Sequence, residues 1–306
     1  MHPETQDLIS RFRNYTENRQ PFVWNTENRG GLNCWNLLLS EGFVQTTDFD
    51  QAIATWKGIA RRGMPTDPKE YPGYKYASSR RERKDDSWSP YLQSQQNQYY
   101  NALAYFLKSS LQNLGAYSLR SINRSLNVSW AQEFKIFIIV GQTSDLEWIC
   151  LAPTVPDQVW NRYTNSFHPE LASLTACQST KPVARDIHEK ISKVLVKLKP
   201  IECYGYYDYV IYNHQIFCTI SSDEAIAIEL ALKAGKMFDD DPYYFKVKYD
   251  GGSSEKSVTQ FMRNNFQQIQ RYMFCFWDVG YGYKFGLTEH GDWVGLKYWS
   301  YMDYNP

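Results

Sequence analysis

Apolar positions along this chain follow two rhythms, and the rhythms predict the elements. Between Tyr99 and Leu114 apolar residues fall at 103, 106, 107, 111 and 114, the spacing of one buried helical face. Leu8, Ile9 and Phe12 predict a short helix near the start, followed by a polar turn into Pro21-Phe22-Val23-Trp24. A second helix is expected from near Asn33 through Trp35, Leu37, Leu38 and Leu39 to Gly42, and a third from Asp50 to Ile59. The other rhythm is the β-branched and aromatic stretch Glu133 to Val140. It leads through Gly141 to Asp145 into Trp148–Leu151 and reads as a hairpin. Further on, a helix is expected over 184–198, stopped by Pro200, then a Tyr-rich strand region over 203–220. Asp223 caps a helix over 224–236 closed by Gly235. A strand over 243–249, a helix over 254–274 and a final hairpin complete the reading.

One pattern occurs twice. Residues 105–114 and 260–269 share Phe106/Phe261 and Gln112/Gln267, and most other pairs keep size and polarity. Each segment leads to Gly-x-Thr-x-x-x-acid-Trp-apolar-x-Leu: Gly141, Thr143, Glu147, Trp148 and Leu151 in one half, Gly286, Thr288, Asp292, Trp293 and Leu296 in the other. Two matching elements in one order predict two tandem copies of a helix-plus-hairpin unit, too few for a solenoid. The expected class is α+β, with two similar domains, about 1–160 and 175–306, each packing helices on a small, mostly antiparallel sheet.

Composition narrows the function. A chain of 306 residues can bury a core in each of two domains. Its 33 basic and 33 acidic residues leave no global field pointing to nucleic acid or an anionic membrane. Six cysteines without CxxC spacing argue against a structural zinc site and a dense disulfide framework. With no apolar run of membrane-spanning length and no visible signal peptide, a cytoplasmic protein is the expectation. No cofactor motif and no metal-spaced His/Cys set is visible.

Three segments carry candidate chemistry. Gly30-Gly31-Leu32-Asn33-Cys34-Trp35 places the Cys34 thiol at an expected helix N-terminus, where the helix dipole favours the thiolate. This context resembles papain-like cysteine hydrolases; catalysis there needs an imidazole nearby, with His290 the first candidate and His214 the next. The stretch 57–84 carries nine basic residues among tyrosines, and Arg80, Arg81, Arg83 and Lys84 make it a candidate nucleic-acid arm within a basic insertion at about 57–90. Asp239-Asp240-Asp241 reads as a charged turn and not a metal site, because consecutive residues do not converge on one ion. Glu133-Phe134-Lys135 reads as alternating charge on a half-exposed strand.

The helix, strand, Gly-x-Thr turn and Trp-apolar-x-Leu return resemble the nuclease A inhibitor family. The closing run from Tyr283 to Leu296 and the run from Phe137 to Leu151 both look like that family's last hairpin, and Thr16 to Phe22 is similar to its acidic stretch leading into Pro-Phe. The resemblance implies a small α/β protein that blocks a sugar-nonspecific, metal-dependent nuclease. It places Glu17 where the family's glutamate points at the nuclease metal. In that reading Glu17, Trp24, Thr143 and Asp145 face the partner. A macromolecule-binding regulator, an inhibitor of a nuclease, is therefore the leading expectation. A cysteine hydrolase using Cys34 and His290 and a nucleic-acid-binding accessory protein using 57–84 stand as alternatives.

Overall fold

The computed structural model describes residues 2–12, 20–59, 90–119, 136–153, 177, 179–204, 211–235, 237–240, 252–276 and 279–301. In chain order the elements are α1 (Pro3–Phe12), β1 (Gln20–Trp24), α2 (Thr26–Arg29), α3 (Cys34–Ser40), β2 (Val44–Thr47), α4 (Phe49–Ile59), α5 (Pro90–Ser110), β3 (Gln112–Leu119), β4 (Ile136–Gln142) and β5 (Trp148–Pro153). There follow α6 (Pro182–Leu195), β6 (Ile201–Tyr204), β7 (Ile211–His214), β8 (Ile216–Ser221), α7 (Glu224–Ala234), β9 (Phe238–Asp239), α8 (Gly252–Asn265), β10 (Gln268–Phe276), β11 (Val279–Leu287) and β12 (Trp293–Tyr301). The class is α+β, with two five-stranded antiparallel sheets and a two-stranded β6–β7 ribbon among the described residues. No helix among them is long and apolar enough to cross a membrane.

The helices start where short polar side chains can satisfy their free amides. Asn25 accepts from the Asn28 amide at 2.9 Å, Asn33 from Asn36 at 2.8 Å and Asp223 from Ile226 at 3.1 Å. α6 instead opens on Pro182, whose missing amide needs no partner at that position. The long helix α5 buries Leu103 and Leu107 of the expected face together with Tyr100, while Leu111 and Leu114 of that face fall past its end. It ends at Ser110 because Gln112–Leu119 is needed as β3.

The chain divides into two compact units, one made of Met1–Phe43 with Met237–Asp303, the other of Val44–Lys236 with Tyr304–Pro306. This division differs from the expected 1–160 and 175–306. Strand pairing explains it. β1 ladders onto β12, from Gln20 opposite Lys297 to Trp24 opposite Trp293, so the N-terminal segment is built into the sheet of the C-terminal one. β8 ladders onto β5, from Ile216 opposite Pro153 to Ser221 opposite Trp148.

The first unit has the strand order β1-β12-β11-β10-β9. α1 buries Phe12 beside Phe261 and Phe266, with ring centroids at 4.9 and 6.0 Å, over Val294 and Leu296. Elsewhere in this unit Phe22, Phe43, Phe238, Phe274, Tyr281, Tyr283 and Phe285 meet mostly edge-on or tilted, as aromatic quadrupoles prefer. Much of the unusual aromatic content is therefore core. The expected helix over 254–274 stops at Asn265; Gln268–Phe276 is β10, paired along its whole length with β11. The strand expected over 243–249 lies outside the described residues.

The second unit has the order β2-β3-β4-β5-β8. Its core joins α4 (Phe49, Ile53, Trp56), the inner face of α5, β4–β5 (Ile139, Ile149, Leu151) and α6 (Ala184, Ile187, Ile191). The Gln96 carboxamide donates to the Lys197 carbonyl at 3.1 Å and accepts from the Lys199 amide at 2.8 Å, closing the end of α6. The 203–220 region resolves into β7, β8 and the end of β6.

The two sheets share one plan. In each, a helix leads into a three-stranded meander, a strand from the other half of the chain flanks the last meander strand, and a short strand flanks the first. The register of the flanking strand is the same relative to the shared tryptophan: Trp24 faces Trp293, and Ser221 faces Trp148. The shared glycine is explained as well. A Cβ at Gly141 meets Leu111 Cδ1 at 2.9 Å, and one at Gly286 collides with the Phe266 ring, each at the junction of helix and meander.

Candidate functional site

The shared Gly-x-Thr-x-x-x-acid motif folds as one and the same turn in both units. The Thr143 amide donates to the Glu147 carbonyl at 2.8 Å, as the Thr288 amide does to Asp292 at 2.8 Å. The Leu146 amide returns to the Thr143 carbonyl at 3.0 Å, as Gly291 does to Thr288 at 3.1 Å. The threonine hydroxyl accepts the amide of the acid at 3.0 Å in one turn and 3.1 Å in the other. Both turns need a left-handed residue, Leu146 with φ 66° and Gly291 with φ 81°. Leu146 has no glycine-like freedom, so its conformation is held against an intrinsic cost of about 1–3 kcal/mol.

A helix N-terminus docks on each turn. In the first unit, Asp292 is buried and accepts the Thr5 hydroxyl of α1 at 3.2 Å and the Asn25 side-chain amide at 2.8 Å. The Thr26 hydroxyl donates to the Gly291 carbonyl at 2.6 Å. At the rim, His290 Nε2 lies 2.7 Å from Glu4 Oε2, and the His2 imidazole stacks on that of His290 with centroids 3.5 Å apart. The hydrogen bond with His290 is the main influence holding the Glu4 carboxyl below its ordinary range, with the neighbouring imidazoles adding to it.

In the second unit, α6 docks through different atoms. The Ala184 amide donates to Asp145 Oδ2 at 3.1 Å; Lys181 Nζ lies 3.1 Å from Glu147 Oε1 and donates to the Asp145 carbonyl at 2.8 Å. Burial pushes the Asp145 carboxyl up. The hydroxyl of Thr143, the amides of Ala184 and Asp145 and the charge of Lys181 together outweigh it and hold the group below the usual carboxylate range.

The candidate residues fall in different places. Cys34 opens α3 behind its Asn33 cap, as expected, but its side chain is wholly buried. His290 sits on the β11–β12 turn, engaged with Glu4 and His2, and His214 ends β7. A nucleophile must reach substrate, so burial of Cys34 supplies no support for the hydrolase reading. Trp24 is core and not an exposed anchor: its ring is 1 % exposed, Nε1 donates to the Gly30 carbonyl at 2.9 Å, and the Arg29 guanidinium lies 5.3 Å from the ring centroid. Its place in β1, opposite Trp293, explains the burial. Thr143 is likewise buried and organises its turn. Asp145 is half-buried, while Leu146 beside it is 62 % exposed. Glu17, Arg80, Arg81, Arg83, Lys84 and the Glu133–Lys135 triplet lie outside the described residues.

Sequence reasoning did not single out His2 or Glu4. A His-x-Glu near a helix start carries no signal until folding sets it against a histidine 286 positions from Glu4. Comparison with protein families, curated proteins and solved structures gives no match for this chain.

Proposed function

We propose that this protein is a macromolecule-binding regulator, built by tandem duplication, that acts as an inhibitor of a metal-dependent nuclease. The observation that carries the reading is the repeated turn. Two units of equal strand order each present a rigid hairpin turn fixed by a threonine hydroxyl and a docked helix N-terminus. A preorganised turn loses little entropy on binding, which suits a protein-recognition element. On the β4–β5 turn, Leu146 is exposed next to Asp145, whose carboxylate takes the Ala184 amide at the start of α6, so an apolar side chain stands beside a carboxylate. The duplication reading rests on the common register of β1 on β12 and β8 on β5. In it, each copy lends a strand to the other copy's sheet, β1 from the first and β8 from the second. Nuclease inhibition rests on the family resemblance of the two hairpins and of the Glu17 stretch.

The test is inhibition of a purified sugar-nonspecific, metal-dependent nuclease, with binding followed by calorimetry. Stoichiometric inhibition is expected, weakened by about 2–5 kcal/mol in Glu17→Ala if its carboxylate meets a desolvated cationic site. Leu146→Asp is expected to cost more than about 1 kcal/mol of binding. A nuclease unaffected by excess protein overturns the reading. Salt-sensitive binding to DNA or RNA, flattened by neutralising Arg80, Arg81, Arg83 and Lys84 together, favours a nucleic-acid-binding protein instead.

A further inference from the structure

The corner where α1 meets the β11–β12 turn gathers three metal-ligating side chains from the two ends of the chain. His2 precedes α1, Glu4 lies in its first turn, and His290 sits on the turn. One donor atom of each lies within 4.8 Å of the others. His290 Nε2 is 2.7 Å and His2 Nδ1 3.9 Å from the same Glu4 oxygen, so that carboxylate lies within reach of both imidazoles. We propose that His2, Glu4 and His290 form a binding site for a borderline divalent transition-metal ion of the zinc class.

The donor set selects the ion. Two imidazoles and one carboxylate suit zinc, nickel or copper, whereas magnesium and calcium take oxygen donors almost exclusively. The backbone beneath the donors is fixed. Thr5 and Asn25 both hold the buried Asp292, and the Thr288 hydroxyl accepts the Asp292 amide, so α1 and the turn keep their spacing with or without an ion. The donors themselves are exposed, so an ion reaches them from solvent, and small rotations of surface side chains close donor separations toward those of a shared ion. Water or a partner's donor completes the fourth position.

The second unit gives an independent reason to see this corner as a clasp. At the equivalent place Asp145, the counterpart of His290, receives the Ala184 amide, and Lys181 spans the Asp145 carbonyl and Glu147, the counterpart of Asp292. There a helix amide and a lysine tie the helix to the turn at Asp145; here His290 stands at that position beside His2 and Glu4, and an ion ties the three together. Because the first unit is assembled from Met1–Phe43 and Met237–Asp303, the ion joins its two chain segments directly. Binding to the folded state alone then raises stability with ion concentration.

The experiment is zinc titration of the full-length chain by calorimetry, paired with thermal unfolding with and without zinc and with the absorption spectrum of the cobalt-substituted protein. Expected are one site per chain, a higher midpoint of unfolding with zinc, no competition from excess magnesium, and a cobalt spectrum without thiolate charge transfer. His290→Ala, His2→Ala and Glu4→Gln should each weaken zinc binding by at least about tenfold, since even outer-shell losses at metal sites cost that much. All three side chains are exposed, so the variants should keep the wild-type circular dichroism. If one does not, the other two carry the test. Binding of equal affinity in all three variants, thiolate-to-cobalt charge transfer, or no zinc binding at all overturns the proposal.

Discussion

The same corner is built twice in this molecule, and the two versions use different chemistry for one task. In the first unit a buried aspartate receives side-chain donors from α1 and the β1–α2 junction, and imidazoles occupy the rim. In the second, a half-buried aspartate takes a helix amide, and a lysine reaches over the turn to a buried glutamate. The backbone hydrogen bonds of the two turns join corresponding residues, at 2.8 and 3.0 Å in one and 2.8 and 3.1 Å in the other. What a hairpin turn demands is therefore the threonine hydroxyl and one left-handed residue; the means of docking a helix on it is free to vary.

The largest expected effects come from the helix faces. Phe12 in α1 and Ile191 in α6 are each wholly buried, and replacing either with alanine should cost about 2–5 kcal/mol, read from urea unfolding. An unaffected Phe12→Ala would show that α1 is not docked on β12. Next come the glycines at the helix–meander junction. Gly286→Ala drives a methyl into Phe266, where three atoms lie within 2.5 Å, whereas Gly141→Ala meets Leu111 Cδ1 and Cβ and Leu114 Cδ1 at 2.9–3.1 Å, so the first should cost about 1–3 kcal/mol and the second less.

The buried acids sharpen the contrast. Asp292→Ala strands the Thr5 and Asn25 donors and should cost about 1–3 kcal/mol, whereas Glu147→Gln loosens a half-exposed lysine pair worth about 0–1 kcal/mol. Two buried tyrosines make a parallel pair. The Tyr283 hydroxyl donates to Glu41 at 3.2 Å beside Lys297, and that of Tyr100 has no partner among the described residues. Tyr283→Phe should destabilise, while Tyr100→Phe should be neutral or stabilising, because it removes a desolvated hydroxyl.

The smallest effect is a pH dependence. The folded Asp145 carboxyl titrates below its unfolded value, so its contribution is present above the ordinary carboxylate range of about 4 and lost as pH falls through the lower folded value. The stability gap between wild type and Asp145→Asn should therefore narrow between neutral pH and about pH 3. A constant gap would mean that Asp145 gains nothing from Thr143, Ala184 and Lys181.

What was legible in the sequence was local. The α5 face, the Asn33 and Asp223 caps and the doubled Gly-x-Thr turn all express spacings within about a dozen residues, where periodicity and capping operate. The boundary between α8 and β10 was not legible, because Phe261, Phe266, Ile269 and Tyr272 recur every three to five residues and continue the helical rhythm past Asn265. Nor was the partnership of β1 with β12. Pairing strands hundreds of positions apart leaves no local signature, and that pairing buries Trp24 and sets His290 against Glu4. The candidate site was half legible: the turn and the two helices are visible as elements in the sequence, and the docking of each helix on its turn is not.

The central claim is that each sheet is completed by a strand from the other half of the chain. Expressing residues 44–236 alone tests it most directly. This fragment contains β2, β3, β4, β5 and β8 together with α4 to α7, and it is expected to unfold cooperatively in urea with dispersed amide resonances. The fragment 1–160 lacks β8 and carries β1 without β12, and it is expected not to fold. A cooperatively folded 1–160 beside an unfolded 44–236 would contradict the account.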